Sequence, residues 1–143
     1  ACQLLPGRHL FRYRDDSGRL HDVTSTDVNA YLRAITKQDI TAKDFRTWAG
    51  TVLAARALSE LGPFETKKEA RKNVVRAVAS VASQLGNTPA VCRKCYIHPA
   101  ILNAYLNGSL GRGCISSSKA NHKHSRGISA ERAGVLRLLE SQL

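Results

Sequence analysis

A phenol beside two cations is the first chemistry this sequence offers. Tyr96 lies in the stretch Gly86-Asn-Thr-Pro-Ala-Val-Cys-Arg-Lys-Cys-Tyr-Ile-His-Pro99, behind Arg93 and Lys94. A phenol is a poor nucleophile at neutral pH, because its ordinary pKa is about 10. Positive groups around it make it useful against a phosphodiester, whose developing charge they stabilise. The competing reading is structural: a partly buried tyrosine next to a surface cation pair. The same stretch holds Cys92 and Cys95 in a C-x-x-C spacing, with His98, Cys114, His122 and His124 further on. Structural zinc uses Cys and His in such pairs. Here one pair stands alone and the second half lacks regular ligand spacing, so no metal is expected. A redox dithiol expects a neighbouring βαβ pattern, which is missing. No phosphate-cradling Gly-rich loop and no H-E-x-x-H motif occurs. The few, scattered carboxylates argue against a two-metal nuclease.

The elements that would have to hold Tyr96 are mostly helices. Residues 9–23 read as a β-hairpin: Leu10, Phe11 and Tyr13 interleave with Arg12 and Arg14, Asp15-Asp16-Ser17-Gly18 is a turn cluster, and Leu20 and Val23 follow. Ser25, Thr26 and Asp27 offer N-caps for a helix whose Val28, Tyr31, Leu32 and Ile35 form one apolar face, predicted to be core. Thr41, with Asp44 three residues on, caps a second helix that is expected to bury Phe45, Trp48, Ala49, Val52 and Leu53. It should stop near Leu61-Gly62-Pro63. Lys43 and Arg46 sit in its first turn, where cations oppose the helix dipole. A residue placed against local preference hints at function, with a solvated face as the alternative.

Thr66-Lys67-Lys68-Glu69 reads as a capping box. The helix after it turns Val74, Val78, Val81, Ala82 and Leu85 inward. Lys67, Lys68, Arg71, Lys72 and Arg76 lie outward, as a phosphate-tracking surface or as a solvated face. Asn87-Thr88-Pro89 breaks that helix. Tyr96 falls in the connection or at the start of the next helix, which His98-Pro99 opens. There Ile101, Leu102 and Tyr105 pack inward and Gly108 is the stop. Residues 108–128 are polar and read as a long loop, mobile when unbound. Ser129 caps a last helix with Val135, Leu138, Leu139 and Gln142 on a stripe. No repeat of fixed period is present.

Composition bounds the partner. A chain of 143 residues is one domain's worth, long enough to bury a core. Its net charge of +11 and pI of about 10.0 point to a polyanion, nucleic acid before an anionic membrane surface. No apolar run approaches the ~20 residues of a membrane span, and the first residues are too few and too polar for a signal peptide. The chain starts with Ala and has no Met at all, so it is expected to be a processed or excised piece of something longer. Cys2, Cys92, Cys95 and Cys114 are few and irregular, which suits reduced thiols in a cytoplasm.

Three stretches together carry a resemblance: Thr41-Ala-Lys-Asp-Phe-Arg-Thr-Trp48, Thr66-Lys-Lys-Glu-Ala70 and the Gly86–Pro99 segment. They resemble the type IB DNA topoisomerases of the bacterial and poxvirus-like branch. The likeness runs from Leu5-Pro-Gly-Arg-His-Leu-Phe11 through Asp27-Val-Asn-Ala-Tyr31 to the final leucine-rich helix. The resemblance implies that Tyr96 is the nucleophile, forming a 3′-phosphotyrosyl link and releasing a 5′-OH that later attacks back. It implies no ATP and no metal. Arg46 matches a catalytic arginine able to hold a non-bridging phosphate oxygen bidentately. Asn87 lies nine residues before Tyr96, where relatives often carry His; an amide donates a hydrogen bond but adds no charge. Lys43 stands where tyrosine recombinases usually carry His. The family's first catalytic arginine and its lysine general acid belong upstream of the hairpin and are not in this sequence, so the piece alone is expected to be inactive.

The expected fold is mainly α, a helical catalytic-domain piece with an N-terminal β-hairpin. Its parts are 1–24 (hairpin region), 25–107 (helical core with the nucleophile), 108–128 (polar loop) and 129–143 (final helix), without the family's N-terminal DNA clamp. The expected function is DNA relaxation by a monomer acting on double-stranded DNA in the cytoplasm, at the nucleoid. Tyr96, Arg46 and Asn87 are the catalytic candidates. Lys43, Arg93, Lys94, Lys67, Lys68 and Arg71 are the DNA-binding candidates. The alternatives are a tyrosine recombinase or integrase, and a basic DNA-binding module without chemistry.

Overall fold

The computed structural model describes residues 11–110 and 130–141. Among them the chain is mainly helical, with a two-stranded hairpin ahead of six helices. It divides into two compact units, Ala1–Phe45 and Arg46–Leu143.

In the first unit, β1 (Arg12–Arg14) and β2 (Leu20–Asp22) pair antiparallel, with Arg12 opposite Asp22, Tyr13 opposite His21 and Arg14 opposite Leu20. The turn forms because Asp15 gathers it. Asp15 Oδ1 accepts from Ser17 N, Ser17 Oγ and Arg19 N at 3.0, 2.7 and 2.9 Å. The strands are shorter than the predicted 9–23, and positions 9 and 10 lie outside the described residues.

Helix α1 (Ser25–Thr36) starts one residue earlier than the predicted caps. Thr24 is the N-cap, its hydroxyl accepting from Asp27 N while Asp27 accepts from Thr24 N. The apolar face expected to be core is not core. Val28, Tyr31 and Ile35 are 41%, 65% and 57% exposed, and α1 buries no residue. The physical reason lies in the unit itself: two three-residue strands offer no broad apolar sheet face for a helix to cover.

The second unit holds the core. It is built from α2 (Ala42–Leu61), which begins in the first unit, and from α3 (Lys67–Leu85), α4 (Pro89–Cys95), α5 (Pro99–Leu106) and α6 (Ala130–Glu140). Leu58, Val81 and Ile101 are completely buried, as is Cys92. Each large aliphatic side chain so buried contributes about 1.5–3 kcal/mol. The inward positions read for α3 and α5 hold: Val74, Val78, Val81 and Ala82 are buried, as are Ile101, Leu102 and Tyr105. Val135 of α6 is buried, with Leu138 and Leu139 packed on the same cluster. Ser129, Gln142 and the loop from 111 onward lie outside the described residues.

Helix α2 corrects the sequence reading. Phe45 is 53% exposed and Ala49 is exposed, while Trp48, Val52 and Leu53 only flank the core. The buried face is instead Gly50, Thr51, Ala54, Ala55 and Leu58, mostly small residues at helical spacing. Small side chains let neighbouring backbone come close, so the tightest contacts select them over larger neighbours.

Helix ends are set by local chemistry. Thr66 Oγ1 accepts from Glu69 N at 3.1 Å, but Glu69 reaches Glu65 N at 3.0 Å, so the predicted reciprocal box closes one residue earlier. Asp44 accepts from Thr41 N at 2.8 Å at the start of α2. Gly86 ends α3 with φ +66, a left-handed conformation in which glycine has no Cβ to strain. There Asn87 N donates to Ala82 O at 2.9 Å, closing a Schellman-type stop.

Candidate active site

That stop is where the site begins. Leu85 O, an otherwise orphaned carbonyl at the end of α3, accepts from Arg46 Nη2 at 2.8 Å and from Asn87 Nδ2 at 3.0 Å. A cation at a helix C-terminus also complements the dipole there. The same guanidinium lies over the Tyr96 ring, 4.9 Å from its centroid. Arg46 and Asn87 therefore meet on one carbonyl, and Arg46 also lies against Tyr96, although 50 residues of sequence separate Arg46 from Tyr96. A guanidinium carries five N–H donors and a carboxamide two. The bonds to Leu85 O leave both side chains with donors for an incoming anion.

Tyr96 is presented by a helix that the sequence reading did not foresee. Thr88 caps α4, its Oγ1 accepting from Val91 N at 3.3 Å, and Pro89 occupies the first turn. After only seven residues the helix ends at Cys95. Tyr96 N still bonds Cys92 O at 2.9 Å, but Tyr96 itself has left helical geometry, at φ −127 and ψ −4. Ile97 then plunges into the core and His98 caps α5, its Nδ1 accepting from Ala100 N at 3.3 Å. Tyr96 is thus in the connection, half-buried, one residue from a buried anchor.

The cationic candidates divide by place. Arg93 and Lys94 are exposed in the last turn of α4, next to Tyr96 in the chain. Lys67, Lys68 and Arg71 are exposed in the first two turns of α3, with Lys72 and Arg76 beyond them. Lys68, Arg71, Lys72, Val75 and Arg76 line a shallow concavity of about 720 Å³. The helix runs about 27 Å from Lys67 to Leu85, so the first-turn cations sit at the far end of α3 from the Arg46 carbonyl contact. Lys43 is exposed on the first turn of α2, in the unit Ala1–Phe45.

Cys92 belongs to the core, where burial pushes its thiol up against the opposing pull of Arg46. Cys95 is half-buried. Among the described residues no group of three or more His, Cys, Asp or Glu side chains gathers, and Cys114, His122 and His124 lie outside them.

Sequence reasoning passed over the residues of α2 that touch the Tyr96 connection. Thr47 Oγ1 donates to Cys95 O at 3.3 Å, and Thr51 Oγ1 accepts from His98 N at 3.1 Å. Gly50 lies against the Tyr96 carbonyl. The sequence signal for them is small residues at i, i+3 and i+4, namely Thr47, Gly50 and Thr51.

A family model described as the catalytic core of eukaryotic DNA topoisomerase I matches residues 3–109. The chain belongs to the type IB DNA topoisomerase family. The DNA topoisomerase 1B of Acanthamoeba polyphaga mimivirus is 32% identical over 110 residues, covering 72% of this chain and 33% of that protein. The chain therefore spans about a third of the length of that topoisomerase. The matched span contains every catalytic and DNA-binding candidate named above, and the mainly helical fold with a leading hairpin is the one the resemblance implied. Among the described residues no helix of this topoisomerase family member is long and apolar enough to cross a membrane.

Proposed function

We propose that Tyr96 is the nucleophile of a DNA-relaxing enzyme, with Arg46 and Asn87 holding the phosphate it attacks. The observation that carries this reading is the meeting of Arg46 and Asn87 on Leu85 O, with the Arg46 guanidinium against the Tyr96 ring. The Tyr96 oxygen attacks phosphorus as the bond to the 5′ oxygen breaks. The phenol proton is lost and the departing 5′ oxygen gains one. The product is a 3′-phosphotyrosyl ester and a free 5′-OH, about which the duplex swivels. Attack by the 5′-OH reverses each change and frees Tyr96. The ester conserves the energy of the broken bond, so neither ATP nor a metal is required.

Arg46 supplies charge and a planar donor fork to the non-bridging oxygens. Asn87 adds one neutral hydrogen bond. Lys67, Lys68 and Arg71, with Arg93, Lys94 and Lys43, provide sequence-independent phosphate contact, so affinity falls steeply with salt. Double-stranded DNA is the substrate, the enzyme works as a monomer, and a nucleoid-associated cytoplasmic setting suits it.

The test is plasmid relaxation by the full-length protein in EDTA without ATP. Tyr96→Phe is expected to abolish relaxation and retain DNA binding. Arg46→Ala should lose roughly 10²–10³-fold in rate, as loss of a developing-charge donor does. Asn87→Ala should lose about tenfold, the equivalent of one neutral hydrogen bond. If Tyr96→Phe relaxes DNA as fast as wild type, Tyr96 is structural and another group makes the break; if wild type relaxes no DNA, the protein is a basic DNA-binding module.

A further inference from the structure

The Tyr96 connection is held from one side by backbone contacts to a single face of α2. Thr47 donates to Cys95 O just before Tyr96, and Thr51 accepts from His98 N just after it, at 3.3 and 3.1 Å. Thr51 is buried and its hydroxyl also donates to Thr47 O at 2.7 Å, so the hydroxyl is used in both directions. Between them stands Gly50. A Cβ there would lie 2.3 Å from Tyr96 O and 3.2 Å from Tyr96 C. Both are backbone atoms, so no side-chain rotation relieves the clash. Glycine is disfavoured inside a helix, and position 50 is helical, so its presence runs against local preference.

We infer that Gly50 and Thr51 are positioning residues that set the Tyr96 oxygen for in-line attack. This rests on the reading of Tyr96 as nucleophile. A helix as short as α4 has little stability of its own, so its end needs external anchoring. These anchors reach Cys95, Tyr96 and His98 at main-chain atoms, and the Tyr96 ring faces the Arg46 guanidinium. Arg46 and Gly50 are one turn apart on the same helix, and residues so spaced are neighbours about 5–6 Å apart. A single rigid element thereby carries both the guanidinium and the seat of the nucleophile's backbone. Their separation is fixed without passing through any loop.

The experiment measures single-turnover phosphotyrosyl formation, resealing rate and DNA affinity in the full-length protein. Gly50→Ala raises helix propensity but pushes the Tyr96 backbone away. It should slow cleavage and resealing together by roughly 100-fold, the cost of about 1 Å of misplacement, with DNA affinity unchanged. Thr51→Val removes the hydroxyl and keeps the shape, and should slow both steps roughly tenfold. Thr51→Ser keeps the hydroxyl and should restore them, an outcome that lost packing alone would not give. The inference is overturned if Gly50→Ala cleaves at the wild-type rate. It is equally overturned if Thr51→Ser and Thr51→Val behave alike, a comparison that decides the matter even if Gly50→Ala fails to fold. Wild type and Tyr96→Phe run alongside. Absence of any covalent adduct in wild type, or its persistence in Tyr96→Phe, sinks the parent reading instead.

Discussion

Helix α1 sets three large apolar side chains, Val28, Tyr31 and Ile35, in solvent, whereas α2 buries Gly50, Thr51, Ala54, Ala55 and Leu58. The helix with the clearer apolar stripe is the one without buried residues. The helix whose large apolar residues scatter around its circumference carries the tight contacts. Size on a helix face measures how much apolar area a residue could remove from water. Whether it does so depends on a surface arriving opposite. Smallness measures how near that surface can come, and nearness is what the Tyr96 connection needs.

This contrast predicts unequal costs. Leu58→Ala, at a fully buried position on the small-residue face, should destabilise the chain by about 2–5 kcal/mol, read from a urea midpoint. A loss under about 1 kcal/mol would mean that this face repacks freely and that its buried character is not structural. Replacing Val28 or Ile35 with Ser should change stability within about 0.5 kcal/mol, as exposed substitutions do. A large loss there would show that α1 is covered in solution and that the two helices do not differ as described.

The smallest effect is local and lies in the hairpin next to α1. The Ser17 hydroxyl, with help from His21, lowers the Asp15 carboxyl from 3.8 to about 2. A depressed acid stabilises the folded state above its unfolded value, and that contribution fades as pH falls through the folded value. The turn should therefore hold at pH 4 and loosen toward pH 2. Amide shifts of Ser17 and Arg19 followed by NMR should titrate with a midpoint near 2. A midpoint near 3.8 would mean the Asp15 bonds do not persist in solution.

Much of the fold follows from local rules. The Asp15–Gly18 turn, the Thr66 cap, the Pro99 start and the inward faces of α3 and α5 were all readable. Each depends on residues within a few positions of one another. The exposure of α1 and the inner face of α2 do not follow from the sequence pattern, because burial is a property of two surfaces and periodicity describes one. α4 went unseen because seven residues are too few for a periodic signal.

The site shows the same division. The types of its residues and the basic surface of α3 are written in the chain, since chemistry belongs to side chains and net charge to composition. Their meeting is not. A left-handed glycine ends α3 directly after Leu85. Arg46 then finds that carbonyl across 39 residues of sequence, while Gly50 admits the Tyr96 backbone. Those approaches depend on which helices pack together and how closely, and only the tertiary structure decides that.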